Sequence, residues 1–147
     1  RVDWVSGAAV MFRMAALRQT GFFDPAYFLY FEEVDLMLRL TRAGWQVWYV
    51  PEARVMHMEG AATGVGSGAA MRRPRPAYWY QSWRTYFAKN YGRAYALAAA
   101  ALYVIGGAIG VVVAKVMGRA PYLPANFFRD FRVGVIGPLL GQRPPEA

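Results

Sequence analysis

Between Arg93 and Lys115 the sequence continues for 21 residues without a charged side chain. As an α-helix this run would be roughly 31 Å long, about the thickness of the hydrocarbon core of a bilayer. We therefore predict an apolar, membrane-associated helix over 94–118. A buried helix or a re-entrant segment is the alternative, because the run is rich in Ala and Gly. Gly106 and Gly110 have the spacing of a helix-docking pair, which arises easily by accident in a Gly-rich run.

The positive charge of the chain is concentrated in its second half. The formal net charge is +8. Residues 1–59 carry six basic and seven acidic side chains, whereas residues 60–147 carry eleven basic and two acidic ones. Such a surplus favours phosphate-bearing partners: anionic lipid, nucleic acid or a pyrophosphate group. Cys is absent, which excludes a disulfide framework and a thiolate metal site.

A basic and aromatic segment, 71–93, precedes the apolar run and contains no acidic residue. A helix of this composition suits a membrane interface, where rings lie at headgroup depth and cations meet lipid phosphate. Nucleic acid is the alternative partner, but a soluble basic module has no need of the apolar run. We predict that the cations hold anionic headgroups or a lipid pyrophosphate. They are Arg72, Arg73, Arg75, Arg84 and Lys89. The remaining Pro-rich tail, 119–147, is expected to form an amphipathic patch around 127–131.

The first half of the chain predicts an α/β arrangement. We expect a buried strand over 1–13 and a short helix over Met14–Gln19 that ends at Gly21. Because the sequence begins at Arg1 within a strand-like run and without an initiator Met, we expect a preceding part of the protein to be missing.

A second helix is predicted from Glu32 to Ala43, with Gly44 at its C′ position. Strands are expected over Trp45–Val50, which Pro51 ends, and over Arg54–Met58. The apolar face of the helix is expected to consist of Val34, Met37, Leu38 and Thr41.

An aromatic loop leads directly into three acids at the start of that helix. Six rings between Phe22 and Phe31 are expected to pack around Glu32, Glu33 and Asp35, and such surroundings shift carboxylate pKa values. A second interpretation is a simple helix start, in which the acids complement the helix dipole. Residue types alone favour the structural role slightly over the catalytic one.

Several separated motifs in this half, taken together, resemble the C-terminal half of the catalytic domain of family 2 glycosyltransferases. The likeness covers about residues 2–63 and is closest to the rhamnosyltransferase-like members, which build cell-wall and O-antigen polysaccharides. The motifs are Trp4-Val5-Ser6-Gly7-Ala8, Gly21-Phe22-Phe23-Asp24, Phe28-Leu29-Tyr30-Phe31-Glu32-Glu33-Val34-Asp35-Leu36, Arg39, Ala43-Gly44-Trp45, Tyr49-Val50-Pro51 and His57.

The resemblance implies a GT-A fold, of which residues 1–70 would be the acceptor-side C-terminal half of an α/β domain. A nucleotide-sugar-binding half would precede it and would hold most of the donor and of a divalent metal, Mg²⁺ or Mn²⁺. That half is not in this sequence. The segments 71–93, 94–118 and 119–147 would follow as an interfacial segment, a membrane-associated helix and a tail.

The resemblance also implies roles for individual residues. The second acid of the pair before the helix is the general base in the family, which assigns that role to Glu33, with Glu32 and Asp35 in support. The family usually has Asp there, and Glu lengthens the arm by roughly 1.5 Å. An i,i+4 pair of Asp35 with Arg39 that orients the helix is an equal alternative to direct catalysis by Asp35. Asp24 is expected to form an Asx turn.

Other positions are assigned to binding on the same basis. Trp4 and Gly7 would line the acceptor or donor sugar, and Tyr30 is assigned to substrate binding as well. Arg72, Arg73 and Arg75 count as substrate contacts through the lipid pyrophosphate, which the basic composition of their segment suggests. His57 would contact the metal or the diphosphate, although a lone histidine is more often structural or simply exposed.

These interpretations predict an inverting glycosyltransferase at the cytoplasmic face of the plasma or inner membrane. It would move a sugar from a nucleotide-sugar donor to a lipid-linked or growing glycan acceptor, without a nucleic-acid partner. Gln81-Ser82-Trp83-Arg84 is followed by Thr85, an incomplete match to the Gln-x-x-Arg-Trp motif of processive synthases. Single-sugar transfer is therefore favoured. The alternative is a non-catalytic membrane scaffold with a degenerate transferase fold.

Overall fold

The computed structural model describes residues 1–57 and 73–142. The chain divides into two units, Arg1–Met58 and Glu59–Ala147. The basic, apolar and Pro-rich segments that the sequence suggests as separate parts all fall in the second unit. Arg72, one of the predicted phosphate contacts, lies outside the described residues.

Two helices form the core of the first unit: α1, Met14–Thr20, and α2, Glu32–Arg42. Their contact buries four aliphatic side chains, and two half-buried rings pack against this cluster. The aliphatic residues are Ala16, Leu17, Leu36 and Leu40, and the rings are Phe12 and Trp45. Both helices were expected at these positions, so the apolar periodicity predicted them correctly.

A glycine in a left-handed conformation ends α2 as predicted. Gly44 has φ +88°. The N–H of Trp45 donates to the carbonyl of Leu40 at 3.0 Å, and the N–H of Gly44 donates to that of Thr41 at 3.0 Å. These two bonds form a Schellman motif, and Trp45 and Leu40 also share the apolar cluster that usually accompanies it. Only glycine adopts this φ without a steric penalty.

The buried face of α2 differs from the predicted one. Leu36, Met37 and Leu40 are buried, whereas Val34 and Leu38, two members of the predicted apolar face, are only half-buried. The helix is rotated because its core contact is with α1, and Leu36 and Leu40 are the residues on that side. Sequence periodicity predicted the helix but not its rotation.

The predicted strands are absent from the part of the chain that the structure describes. Segments 1–13 and 45–50 meet at one antiparallel bridge, in which the N–H of Val2 donates to the carbonyl of Val47 at 3.0 Å. The segment from Arg54 to residue 57 is also without strand structure. Strands form only by pairing, and a single bridge is not a sheet. The predicted α/β class is thus not confirmed: the elements described are helical.

The described part of the second unit is helical and contains two long helices, α3, Ala77–Tyr91, and α4, Arg93–Val116. Gly92, at φ +87°, separates them. Three short elements follow: α5, Phe127–Phe131; a π-helical turn, Arg132–Ile136; and α6, Gly137–Leu139. The helix near 127–131 was predicted as an amphipathic patch.

An aromatic cluster holds these helices together. The ring of Trp83 lies 5.2 Å from that of Phe131, whose ring lies 5.2 Å from that of Tyr103. Gly134 sits directly against Tyr80, where a Cβ would come within 2.6 Å of the Tyr80 Cβ. The unit therefore depends on close packing between α3, α4 and the segment after residue 126.

One helix among the described residues is long and apolar enough to cross a membrane. This is α4, with a mean hydropathy of 2.3 over its most apolar window and 11% of that window buried. This property rests on length and composition, which the core helix of a soluble protein can share. Within the described residues α4 is thus mostly exposed, and its membrane association stays a prediction.

Candidate active site

The candidate site lies in the first unit, where the aromatic loop turns into α2. The two residues before the helix, Tyr30 and Phe31, have φ +68° and +67°. Non-glycine residues rarely adopt this conformation, which costs on the order of 1–3 kcal/mol each and often occurs at functional sites. The carbonyl of Phe31 nevertheless accepts the N–H of Asp35 at 2.8 Å. The helix therefore begins directly after the strained turn.

The two glutamates of the first turn each present an oxygen without a partner. Oε2 of Glu32 and Oε2 of Glu33 are buried, and neither has a hydrogen-bond partner among the residues that the structure describes. Buried carboxylate oxygens are normally paired, because their desolvation is costly. The two unpaired atoms therefore leave room for a polar group from outside the described residues.

Burial raises the pKa of the Glu32 carboxyl above its ordinary value of 4.5. A hydrogen bond to the backbone opposes this shift, and the charge of Glu33 adds to it. A carboxylate with a raised pKa accepts a proton more readily at neutral pH.

The N-terminal segment lies along the same turn of α2. A Cβ built on Gly7 would lie 3.5 Å from both Cβ and Cγ of Glu33. Two residues earlier, the N–H of Val5 approaches Sδ of Met37 at 3.2 Å. The structure thus brings together Gly7 and Glu33, and the roles that the resemblance gives them stay predictions. Trp4 is exposed at the edge of this segment.

Asp35 differs from the two glutamates because both of its oxygens are paired. Its side chain is completely buried. Oδ1 accepts the hydroxyl of Tyr27 at 3.1 Å, and Oδ2 accepts Nε of Arg39 at 2.9 Å. The predicted i,i+4 pair with Arg39 is confirmed. The geometry favours the orienting role for Asp35 over proton transfer.

The expected aromatic surround of the three acids is largely wrong. Of the six rings, only Tyr27 is buried, whereas Phe22, Phe23 and Phe28 are exposed, the last by 79%. Tyr30 and Phe31 are half-buried. The ring of Phe23 packs on that of Phe12, with 5.9 Å between the ring centres, and not on the acids. The Asx turn at the start of the loop is as predicted, with the N–H of Ala26 donating to Oδ1 of Asp24 at 2.9 Å.

The predicted metal contact is not part of a cluster in this chain. His57 is exposed near the end of the described part of the first unit. Residues 1–57 and 73–142 contain no group of three or more His, Asp or Glu side chains that could hold a metal ion. The described residues therefore do not by themselves fit a divalent metal, and its predicted binding elsewhere stays a prediction.

The predicted phosphate contacts belong to the second unit. Arg73 is exposed, and the guanidinium of Arg75 lies 4.1 Å from the centre of the Trp79 ring. Arg84 instead uses its Nη1 to bind the carbonyl of Gly134 at 2.7 Å, and burial lowers its pKa. Arg84 is thus a structural cation of the helical unit.

Two contacts could not have been found from the sequence. The hydroxyl of Tyr27 binds Asp35, which lies 8 residues later in the chain. The guanidinium of Arg39 binds the carbonyl of Thr20, which lies 19 residues earlier. No periodicity links these positions, and only the path of the loop brings them together.

Residues 1–74, which include the whole candidate site, match the family described as glycosyltransferase-like family 2. This match covers half of the chain, and the chain belongs to that family.

The relatives that match part of this chain are rhamnosyltransferases. An N-acetylglucosaminyl-diphospho-decaprenol L-rhamnosyltransferase of Mycobacterium tuberculosis is 48% identical over 63 residues, which are 43% of this chain and 20% of that protein. The rhamnosyltransferase WbbL of Escherichia coli K12 is 39% identical over 56 residues, 38% of this chain and 21% of that protein. The chain thus spans about a fifth of the length of these curated relatives. No solved structure matches significantly.

The raised pKa of Glu32 makes a prediction about stability. A carboxyl whose pKa is higher in the folded than in the unfolded state stabilises the protein when the pH is below its unfolded-state pKa. This stabilisation is lost as the pH rises through its folded-state pKa. We expect Glu32→Gln to raise the melting temperature at pH 7 to 8, and this gain to disappear as the pH falls below 4.5. Thermal unfolding across this range tests it, with exposed Glu52→Gln as the control. A pH-independent gain would contradict the assignment.

Proposed function

We propose that this protein is an inverting glycosyltransferase that moves one sugar, a deoxyhexose such as rhamnose, from a nucleotide-sugar donor to a lipid-linked acceptor in cell-envelope glycan synthesis. Family membership supports sugar transfer. The activities of the relatives support a rhamnosyl donor and, in one case, an acceptor carried on a polyprenyl diphosphate. The observation in this chain that carries the proposal is the pair of buried glutamate oxygens without partners.

The proposed reaction assigns the base to Glu33. The acceptor hydroxyl attacks the anomeric carbon of the donor sugar, the new glycosidic bond forms, and the bond to the nucleoside diphosphate breaks. The proton of the hydroxyl passes to the carboxylate of Glu33, while the electron pair of the broken bond leaves with the diphosphate. Glu33 is assigned this role over Glu32 because the resemblance to the family makes the second acid of the pair the base, and a Cβ on Gly7 would lie within van der Waals range of its side chain. Glu32, by this account, supports the site electrostatically.

The acceptor also suggests where the enzyme works. A polyprenyl-linked substrate stays in the membrane, and α4 offers an apolar helix of sufficient length to reach it. We propose that the second unit holds the protein at the cytoplasmic membrane face, where nucleotide sugars are available.

The proposal is tested with the full-length protein in membranes. Labelled nucleotide sugars are supplied with Mg²⁺ or Mn²⁺ and native lipid extract, and label is followed into the lipid fraction. Label in a product that mild acid releases from the lipid diphosphate supports the proposal. Absence of transfer with every donor, in a preparation shown to be folded, would overturn it and leave a non-catalytic scaffold.

The basic segment before α3 makes a separate prediction about lipid. We expect Arg73→Gln/Arg75→Gln to lower the preference for anionic over zwitterionic vesicles by roughly 30-fold, because each cation near a charged surface contributes about 1 kcal/mol. Flotation at constant salt measures this ratio. The exposed pair Arg18→Gln/Arg54→Gln has the same charge change in the first unit. An equal effect of both pairs would show that net charge, and not this segment, sets the preference.

A further inference from the structure

We propose that Tyr27, Asp35 and Arg39 form a positioning clamp, which holds the aromatic loop 21–31 on α2 and so orients the two carboxylates of the first helical turn. This inference rests on the proposed transfer function and adds positioning residues to it. None of the three side chains would touch the substrate.

Arg39 makes the largest number of contacts in the clamp. Its Nε donates to Asp35, while Nη1 donates to the carbonyl of Thr20 at 2.6 Å and, more weakly, to that of Gly21 at 3.4 Å. Nη2 donates to the carbonyl of Phe22 at 2.7 Å. The last carbonyls of a helix lack intrahelical partners. One guanidinium therefore caps α1 and fixes the first residues of the loop to α2.

Tyr27 fixes the middle of the same loop. Its ring is buried, and its hydroxyl donates to the oxygen of Asp35 that Arg39 does not use. Its own N–H donates to the carbonyl of Asp24 at 3.1 Å. The buried carboxylate of Asp35 therefore connects Tyr27, in the middle of the loop, with Arg39, which binds the beginning of the loop.

The end of the loop explains why such fixation matters. Tyr30 and Phe31 are in left-handed conformations. Non-glycine residues relax from such conformations when nothing constrains them, so these two persist only if the loop is held in place. The carboxylates of Glu32 and Glu33 follow immediately. If the loop relaxes, these groups move relative to the acceptor, and a displacement of about 1 Å can lower a rate by roughly 10²-fold.

The test uses Arg39→Lys in the full-length enzyme. Lysine keeps the charge next to Asp35 but lacks the planar fork that reaches three carbonyls. We expect kcat for sugar transfer to fall by roughly 10²-fold with the KM for the donor unchanged. The side chain of Arg39 is 21% exposed, so free guanidinium should enter the gap in Arg39→Ala and restore part of kcat. Exposed Arg18→Lys and Arg18→Ala are the matched controls.

Hydrogen exchange gives a readout that does not depend on catalysis. In Arg39→Lys, amides of the loop 21–31 should exchange faster, while those of α3 keep their protection. If the wild type shows no transfer, the proposed function fails, but the exchange result still tests the clamp. Unchanged exchange together with unchanged kcat in Arg39→Lys would overturn the clamp. A uniform loss of protection, without rescue by guanidinium, would reduce Arg39 to a stabilising residue and also overturn it.

Discussion

Glu33→Gln is expected to lower sugar transfer by about 10²- to 10⁴-fold, the range that a positioned general base contributes. Glutamine keeps the size of the side chain but cannot take a proton from the acceptor hydroxyl. The donor is expected to bind the variant as it binds the wild type, since Gly7 and the rest of the turn are unaffected. Single-turnover transfer and donor binding, measured on the same membrane preparation, separate the two effects.

Three further variants make this result specific. Glu33→Asp keeps the carboxylate but withdraws it by roughly 1.5 Å, so its activity should fall between the wild type and Glu33→Gln. Glu32→Gln should cause a smaller loss, as expected for an electrostatic support. Exposed Glu52→Gln controls for the loss of one acid in the first unit. If Glu32→Gln caused the full loss and Glu33→Gln did not, the base would be Glu32, and the assignment would be wrong.

The parts of this site that could be predicted from the sequence are those with local causes. The end of α2 depends on Gly44, and the turn at Asp24 depends on a side chain that bonds the backbone two residues on. The pair of Asp35 and Arg39 lies one helical turn apart and was likewise expected. In each case a few neighbouring residues determine the geometry.

The parts that could not be predicted depend on distant contacts. The strands expected over 1–13 and 45–50 reduce to one bridge between Val2 and Val47, because a strand depends on a partner that composition does not supply. The contacts of Arg39 with Thr20 and Phe22 depend on the path of a whole loop. Even the rotation of α2 required knowledge of where α1 packs.

In the second unit, too, the features with local causes could be predicted from the sequence and those with distant causes could not. Charged residues delimit the apolar run, so α4 was predicted over 94–118 and is found over Arg93–Val116. The packing of Trp83 on Phe131, 48 positions later, has no local signal in the sequence. It is this packing that decides which face of α4 stays exposed.

The exposed face of α4 presents apolar side chains at alternating spacings of three and four residues. A stripe with this spacing follows one side of a helix. Its larger members are Leu102, Ile105, Ile109, Val112 and Val116, all exposed. The opposite side carries Ala96 and Ala100, which are completely buried, and Tyr103, whose ring lies 5.2 Å from that of Phe131. If the stripe faces lipid, charge placed at its middle will oppose membrane association directly.

Ile105→Asp/Ile109→Asp is therefore expected to release the protein from membranes. The two side chains are 52% and 58% exposed, so Asp is accommodated without disturbing the helical core. An Asp near the middle of a spanning helix costs about 3 kcal/mol, and two of them should shift the partition by on the order of 10⁴-fold. The bound fraction is measured in carbonate-washed membranes and by vesicle flotation. Circular dichroism checks that the helices persist. Met11→Asp, at an exposed position in the first unit, serves as the control. Full retention of the double variant in the washed membranes would mean that this face of α4 does not meet lipid. The acceptor would then have to be reached through the basic segment before α3 alone.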